Sequence, residues 1–180
     1  MNSNLHRYFI LLKSSLILLI LILHSCKTES KDYFKFDEAV HFKLNPIINN
    51  DSIFPDKIKS EIDSLRKQII IGDRPDKISD SIFINDLEKN GFDKIKIDPS
   101  SNEKINDIYQ KKSSPIFKTS MACEPVYRDI LIFKKNQKTI GISKICFECD
   151  KSINIGINGK LASFERKSDF ENLKKVLKNE

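Results

Sequence analysis

The sequence predicts a single α+β domain in which helices pack on an antiparallel β-sheet. Three observations point there. Segments with a two-residue apolar period alternate with segments whose apolar residues recur every three or four positions. Two turn signals, Asn136-Gln137 and Asn158-Gly159, join strand-like segments between Tyr127 and Phe164. Residues 33–180 have the length of one domain and show no internal repeat.

The elements follow in order. From Phe34 to Leu44, the residues Phe34, Phe36, Val40, Phe42 and Leu44 share one parity, broken by Glu38. This predicts a half-buried strand, with His41 solvated on its polar face. After a loop at Asn45–Ser52, Ile58, Ile62, Leu65 and Ile69 recur at helical spacing, between Pro55 and Gly72. A shorter helix spans Ser81 to Asn90, stopped by Gly91, and Phe92–Ile97 reads as a short strand. Ser100 and Glu103 form a capping-box pattern before a helix that carries Ile105, Ile108 and Tyr109. Ser168 and Glu171 repeat that pattern before a last helix lined by Phe170, Leu173 and Leu177. Ile130-Leu131-Ile132-Phe133 is apolar on both faces and therefore reads as a central strand. The returning strand, Thr139–Phe147, changes apolar parity, which predicts a bulge near Ser143. Ile153, Ile155 and Ile157 alternate, and Leu161–Phe164 returns after the Asn158-Gly159 turn.

Register brings the cysteines together. With Asn136-Gln137 at the centre of the first hairpin, Lys135 faces Lys138, and the same count sets Cys123 opposite Asp150 and Cys149 opposite Glu124. Cys123, Cys146 and Cys149 therefore converge at the open end of the hairpin. Three chemistries suit such a cluster. A disulfide from Cys123 to Cys146 or Cys149 would close a loop worth about 3 kcal/mol. Three thiolates with Asp150, Glu124 or water would suit zinc. Redox exchange by Cys146 and Cys149 is the third. Against it, the motif ends a strand where redox pairs open a helix, and Glu148 between the two cysteines opposes thiolate formation.

The N-terminus reads as an address. Arg7 and Lys13 precede an apolar run from Leu16 to Leu23, too short to span a bilayer. Leu23-His24-Ser25-Cys26 then resembles a bacterial lipobox. The resemblance implies removal of residues 1–25 as a lipoprotein signal peptide and lipidation of Cys26, with a diacylglycerol on its sulfur and an acyl chain such as palmitate on its amine. Several acyl chains hold a protein stably on a membrane. Residues 26–32 form a short lipidated tether that extends only about 20 Å. The expected location is the cell envelope, on a membrane facing the periplasm or the cell surface. Such a compartment permits disulfides.

Composition narrows the function classes. The whole chain carries a net charge of +6, and without residues 1–25 it keeps 29 basic against 25 acidic residues. The lysines are interleaved with acids, with no block of five like charges and no basic aromatic helix face, so nucleic acid is not an expected partner. After removal of the signal only His41 remains, and no Ser-His-Asp set or glycine-rich phosphate loop can be assembled.

Cys123, Pro125, Ile130, Phe133, Asn136, Lys138 and the run Cys146-Phe147-Glu148-Cys149 resemble a group of uncharacterised Bacteroidota lipoproteins. Members of that group often carry a further cysteine before the last helix, where this chain has Ala162-Ser163-Phe164-Glu165-Arg166. The resemblance implies the fold and the address, and brings no activity. The first expectation is thus a membrane-anchored, non-enzymatic envelope protein with a structural or binding role. The alternative is a thiol-based redox or metal-binding protein that uses Cys123, Cys146 and Cys149.

Overall fold

The computed structural model describes residues 34–48, 61–109, 123–161 and 166–178, all within a compact unit spanning Lys31–Glu180. The strands are β1 (Glu38–Leu44), β2 (Phe92–Ile95), β3 (Asp129–Lys135), β4 (Lys138–Cys146), β5 (Lys151–Gly156) and β6 (Gly159–Leu161). They form one antiparallel sheet in the order β2-β1-β3-β4-β5-β6. The helices are α1 (Glu61–Ile70), α2 (Ser81–Asp86), α3 (Ser101–Ile108) and α4 (Lys167–Lys178). The expected α+β class is the observed one.

Helices cover both faces of this sheet. On one face Val40, Phe42, Leu44, Ile130, Ile132 and Ile142 pack with Ile69 and Ile70 of α1 and with Phe83 and Leu87 at α2. On the other, Ala39, Leu131, Phe133 and Ile145 pack with Ile105 and Ile108 of α3, with Tyr109, and with Phe170 and Leu173 of α4. β3 is central, as expected, and Ile130 to Phe133 are buried on both sides.

Double coverage changes the reading of β1. The strand starts at Glu38, and Ala39 to Phe42 are all buried. Phe34 precedes the strand and turns to the α3–α4 side, opposite to Val40 and Phe42, where its ring stacks on Phe133 at 4.6 Å. His41 is only 2% exposed, not solvated. Alternation reports which positions are apolar, but not whether a second layer of helices covers the polar ones.

Three other details depart from expectation. The bulge is at Ile140, where the register shifts between Phe133–Gly141 and Lys134–Thr139, and not at Ser143. Gly141 beside it is the site of a close approach, because a Cβ there would run into the Phe34 ring. Neither capping box forms. The Ser100 side chain makes no cap bond, its backbone N–H donates to the Asp98 carboxylate at 2.9 Å, and Ser168 lies inside α4. On α1, Ile69 and Ile70 are buried and Leu65 half-buried, but Ile62 is 51% exposed. Ile58, Pro55 and the strand residues after Leu161 fall outside the described residues.

Candidate functional site

The open end of the β3–β4 hairpin holds the candidate side chains. Its closed end is the turn at Asn136 and Gln137, both at positive φ, with Lys135 facing Lys138 as expected. Past the bulge the pairing continues to Asp129 opposite Ile145. The chain then turns through Phe147 to Asp150, with Asp150 at φ 49°, before β5 begins at Lys151 opposite Cys146. The Cys-x-x-Cys thus occupies a tight turn between two strands, which lets both cysteines approach the segment before β3.

Cys123, Cys146 and Cys149 pack in one cluster with Tyr127 and Ile153. A disulfide joins Cys123 to Cys149, with Cα atoms 5.8 Å apart and 26 positions between them. The Lys151 ammonium donates to the Cys123 carbonyl at 2.7 Å and fixes the same segment to β5. Cys146 is free and buried. Burial pushes its thiol pKa up, and Glu148, whose carboxylate accepts from Sγ at 3.6 Å, adds to the rise. Such a thiol is a poor nucleophile. The three-thiolate zinc set with Asp150 is not assembled, because two of its sulfurs are bonded to each other. Among the described residues no group of three or more His, Cys, Asp or Glu could hold a metal ion.

The bridge gives a direct prediction. Mass spectrometry of the non-reduced protein should yield one linked peptide pair, Cys123 with Cys149, and one thiol at Cys146 that reacts only after unfolding. Replacing both bridged cysteines by serine should lower stability by about 3 kcal/mol through the released loop. A Cys146–Cys149 pair, or three reactive thiols in protein from oxidising conditions, would contradict the assignment.

The stapled turn forms one wall of a cleft of about 840 Å³. Phe147 and Glu148 line it, together with Lys43 to Pro46 and Ile48 at and after the end of β1, Ile95 of β2, Arg128 and Asp129 at the start of β3, and the end of α4. His41 and Asp129 also line it, buried to 2% and 9% exposure, and His41 Nε2 meets Asp129 Oδ1 at 2.8 Å. A carboxylate oxygen can only accept, so Nε2 carries the proton. Nδ1 is itself buried and has no hydrogen-bond partner among the described residues. Lys174 of α4 lies over the Phe147 ring at 5.9 Å, and Arg128 approaches Glu148 at 3.9 Å.

On the opposite face of the same end sits Lys144, fully buried. Its ammonium donates to the carbonyls of Gly72 at 2.7 Å and Arg74 at 2.8 Å, just past the end of α1, and lies 4.7 Å from the Tyr127 ring centroid. Burial is the main cause that lowers its pKa, to about 7.

Of the residues the sequence singled out, the structure unites Cys123, Cys146 and Cys149. Cys26 lies outside the described residues. His41, Asp129 and Lys144 were not picked out as site residues. A weak signal existed for the first two. Asp129 opens the apolar run Ile130–Phe133 and His41 sits between Val40 and Phe42, so pairing β1 with β3 would have placed two polar groups in one interior. The chain matches no protein-family model, no curated protein and no solved structure.

Proposed function

We propose that the chain is a lipid-anchored protein of the cell envelope with a non-enzymatic binding role, held on its membrane through Cys26. The Cys123–Cys149 bridge carries this reading. A closed disulfide suits an oxidising compartment, which is where a lipobox would send the chain. The bridge also gives the Cys-x-x-Cys a structural task, since it pins the Phe147–Glu148 wall of the cleft. Against thiol redox chemistry stand the burial of Cys146 and its raised pKa. No helix among the described residues is long and apolar enough to cross a membrane.

The anchor is tested by labelling cells with radioactive palmitate. The wild-type chain should incorporate label and fractionate with membranes. Cys26→Ser should incorporate none and accumulate as unprocessed precursor or released protein. Label entering Cys26→Ser would remove the lipoprotein reading and leave the bridge and the cleft as they are.

A further inference from the structure

We infer that the cleft beside the disulfide binds a small organic anion with an apolar body, its carboxylate held by the cleft lysines Lys43 and Lys174. This names the ligand class for the binding role proposed above and rests on that role, but not on the lipid anchor. Four cationic side chains line the cleft: Lys43 from β1, Arg128 before β3, and Lys174 and Lys178 from α4. Two carboxylates line it, and both are engaged, Asp129 by His41 at 2.8 Å and Glu148 by Arg128 at 3.9 Å. A concave site lined mainly by one sign of charge concentrates its field on the opposite sign. Lys43 and Lys174 make no ion pair among the described residues, so their charge is directed at the cleft and the solvent.

The rest of the lining sets the body of the ligand. Leu44, Ile48, Ile95, Phe147 and Leu177 supply apolar wall, and about 840 Å³ lies in the range of small-molecule sites. An inorganic anion would leave that wall wet, and a neutral apolar molecule would leave the lysines unused. Lys43 and Lys174 supply the polar contacts to the carboxylate, and no covalent bond is made or broken.

The test uses the full chain in phosphatidylcholine nanodiscs, with empty nanodiscs as the blank for partitioning. The probes are 3-phenylpropionate, its amide and 3-phenylpropylamine, three molecules of one shape and different charge. Binding is followed through the His41 ring signals by NMR. The carboxylate should bind saturably and about tenfold more tightly than the amide, the worth of one charge-assisted hydrogen bond, and the amine most weakly. Lys174→Glu, on the exposed side of α4, should weaken the carboxylate far more than the amide. Equal binding of carboxylate and amide would overturn the anion assignment and leave the binding role standing. Saturation by none of the three would overturn the inference, while palmitate labelling still decides the anchor separately.

Discussion

Ile132→Asp should leave the chain without a cooperative unfolding transition. Ile132 is 1% exposed, in the central strand of the sheet, paired with Val40 on one side and Ile142 on the other. Its side chain faces the α1–α2 layer, where its neighbours are apolar. A carboxylate there has no donor within the cluster, and burying an unpaired charge costs several kcal/mol even after the group takes up a proton. Lost apolar contacts add roughly 2 kcal/mol. Together these consume most of the ~5–15 kcal/mol by which a domain of this size is stable. The comparison is Ile132→Val, which keeps shape and polarity and should melt cooperatively after losing about 1 kcal/mol. Circular dichroism of residues 31–180 on heating reads both. A cooperative melt of Ile132→Asp within a few degrees of wild type would mean that Ile132 is not in the core.

That expectation was legible from four consecutive apolar residues, and so was much of the hairpin around them. The turn at Asn136-Gln137 is set by local backbone chemistry, and a turn fixes register for many residues beyond it. Cys123 and Cys149 could therefore be brought together from the sequence, even though the Ile140 bulge shifts the count by one. The choice of Cys149 over Cys146 was not legible. It depends on how the Phe147–Asp150 turn directs two cysteines three positions apart, with Asp150 in the left-handed region.

The site was less legible because it depends on pairs remote in sequence. His41 and Asp129 are 88 positions apart, and each looks like an ordinary polar interruption until β1 lies against β3. The polar parity of β1 reads as a solvated face because a sheet covered on one side is the simplest explanation of alternation. Here α3 and α4 cover that side, and His41 is buried there beside Asp129 at the edge of the cleft. The capping signals failed for a related reason. The Asp98 carboxylate accepts the Ser100 backbone N–H that Glu103 would take in a capping box.

Lys144 leads to the last expected result: stability should rise between pH 7 and pH 8.5, and the rise should vanish in Lys144→Met. The folded state lowers the Lys144 pKa from 10.5 to about 7, chiefly through burial, with Lys160 acting in the same direction and Asp73 against it. The unfolded chain keeps its ordinary value. Below pH 7 both states are protonated, and the cost of burying the ammonium is fully present. Between pH 7 and the unfolded value, the unfolded chain binds more protons than the folded one, so raising the pH favours folding by at most about 1.4 kcal/mol per unit. The window must close early. Cys146, Tyr109 and Tyr127 are all raised by burial, so their unfolded forms lose protons first and stability falls again above about pH 9. From pH 7 to 8.5 the net gain should be about 1–1.5 kcal/mol, because half of the folded molecules are still protonated at pH 7 and Cys146 begins to oppose the gain near pH 8.5. The two carbonyls that accept from Lys144 and the ring of Tyr127 hold the charged form and reduce that figure. Urea midpoints at both pH values measure it. Lys144→Met fills similar space and removes the titrating group, so its midpoints should coincide, though it leaves the Gly72 and Arg74 carbonyls short of a donor and costs about 1–3 kcal/mol at both. A wild-type midpoint that does not move would show that the carbonyls and the ring outweigh burial, and that Lys144 stays an ammonium throughout this range.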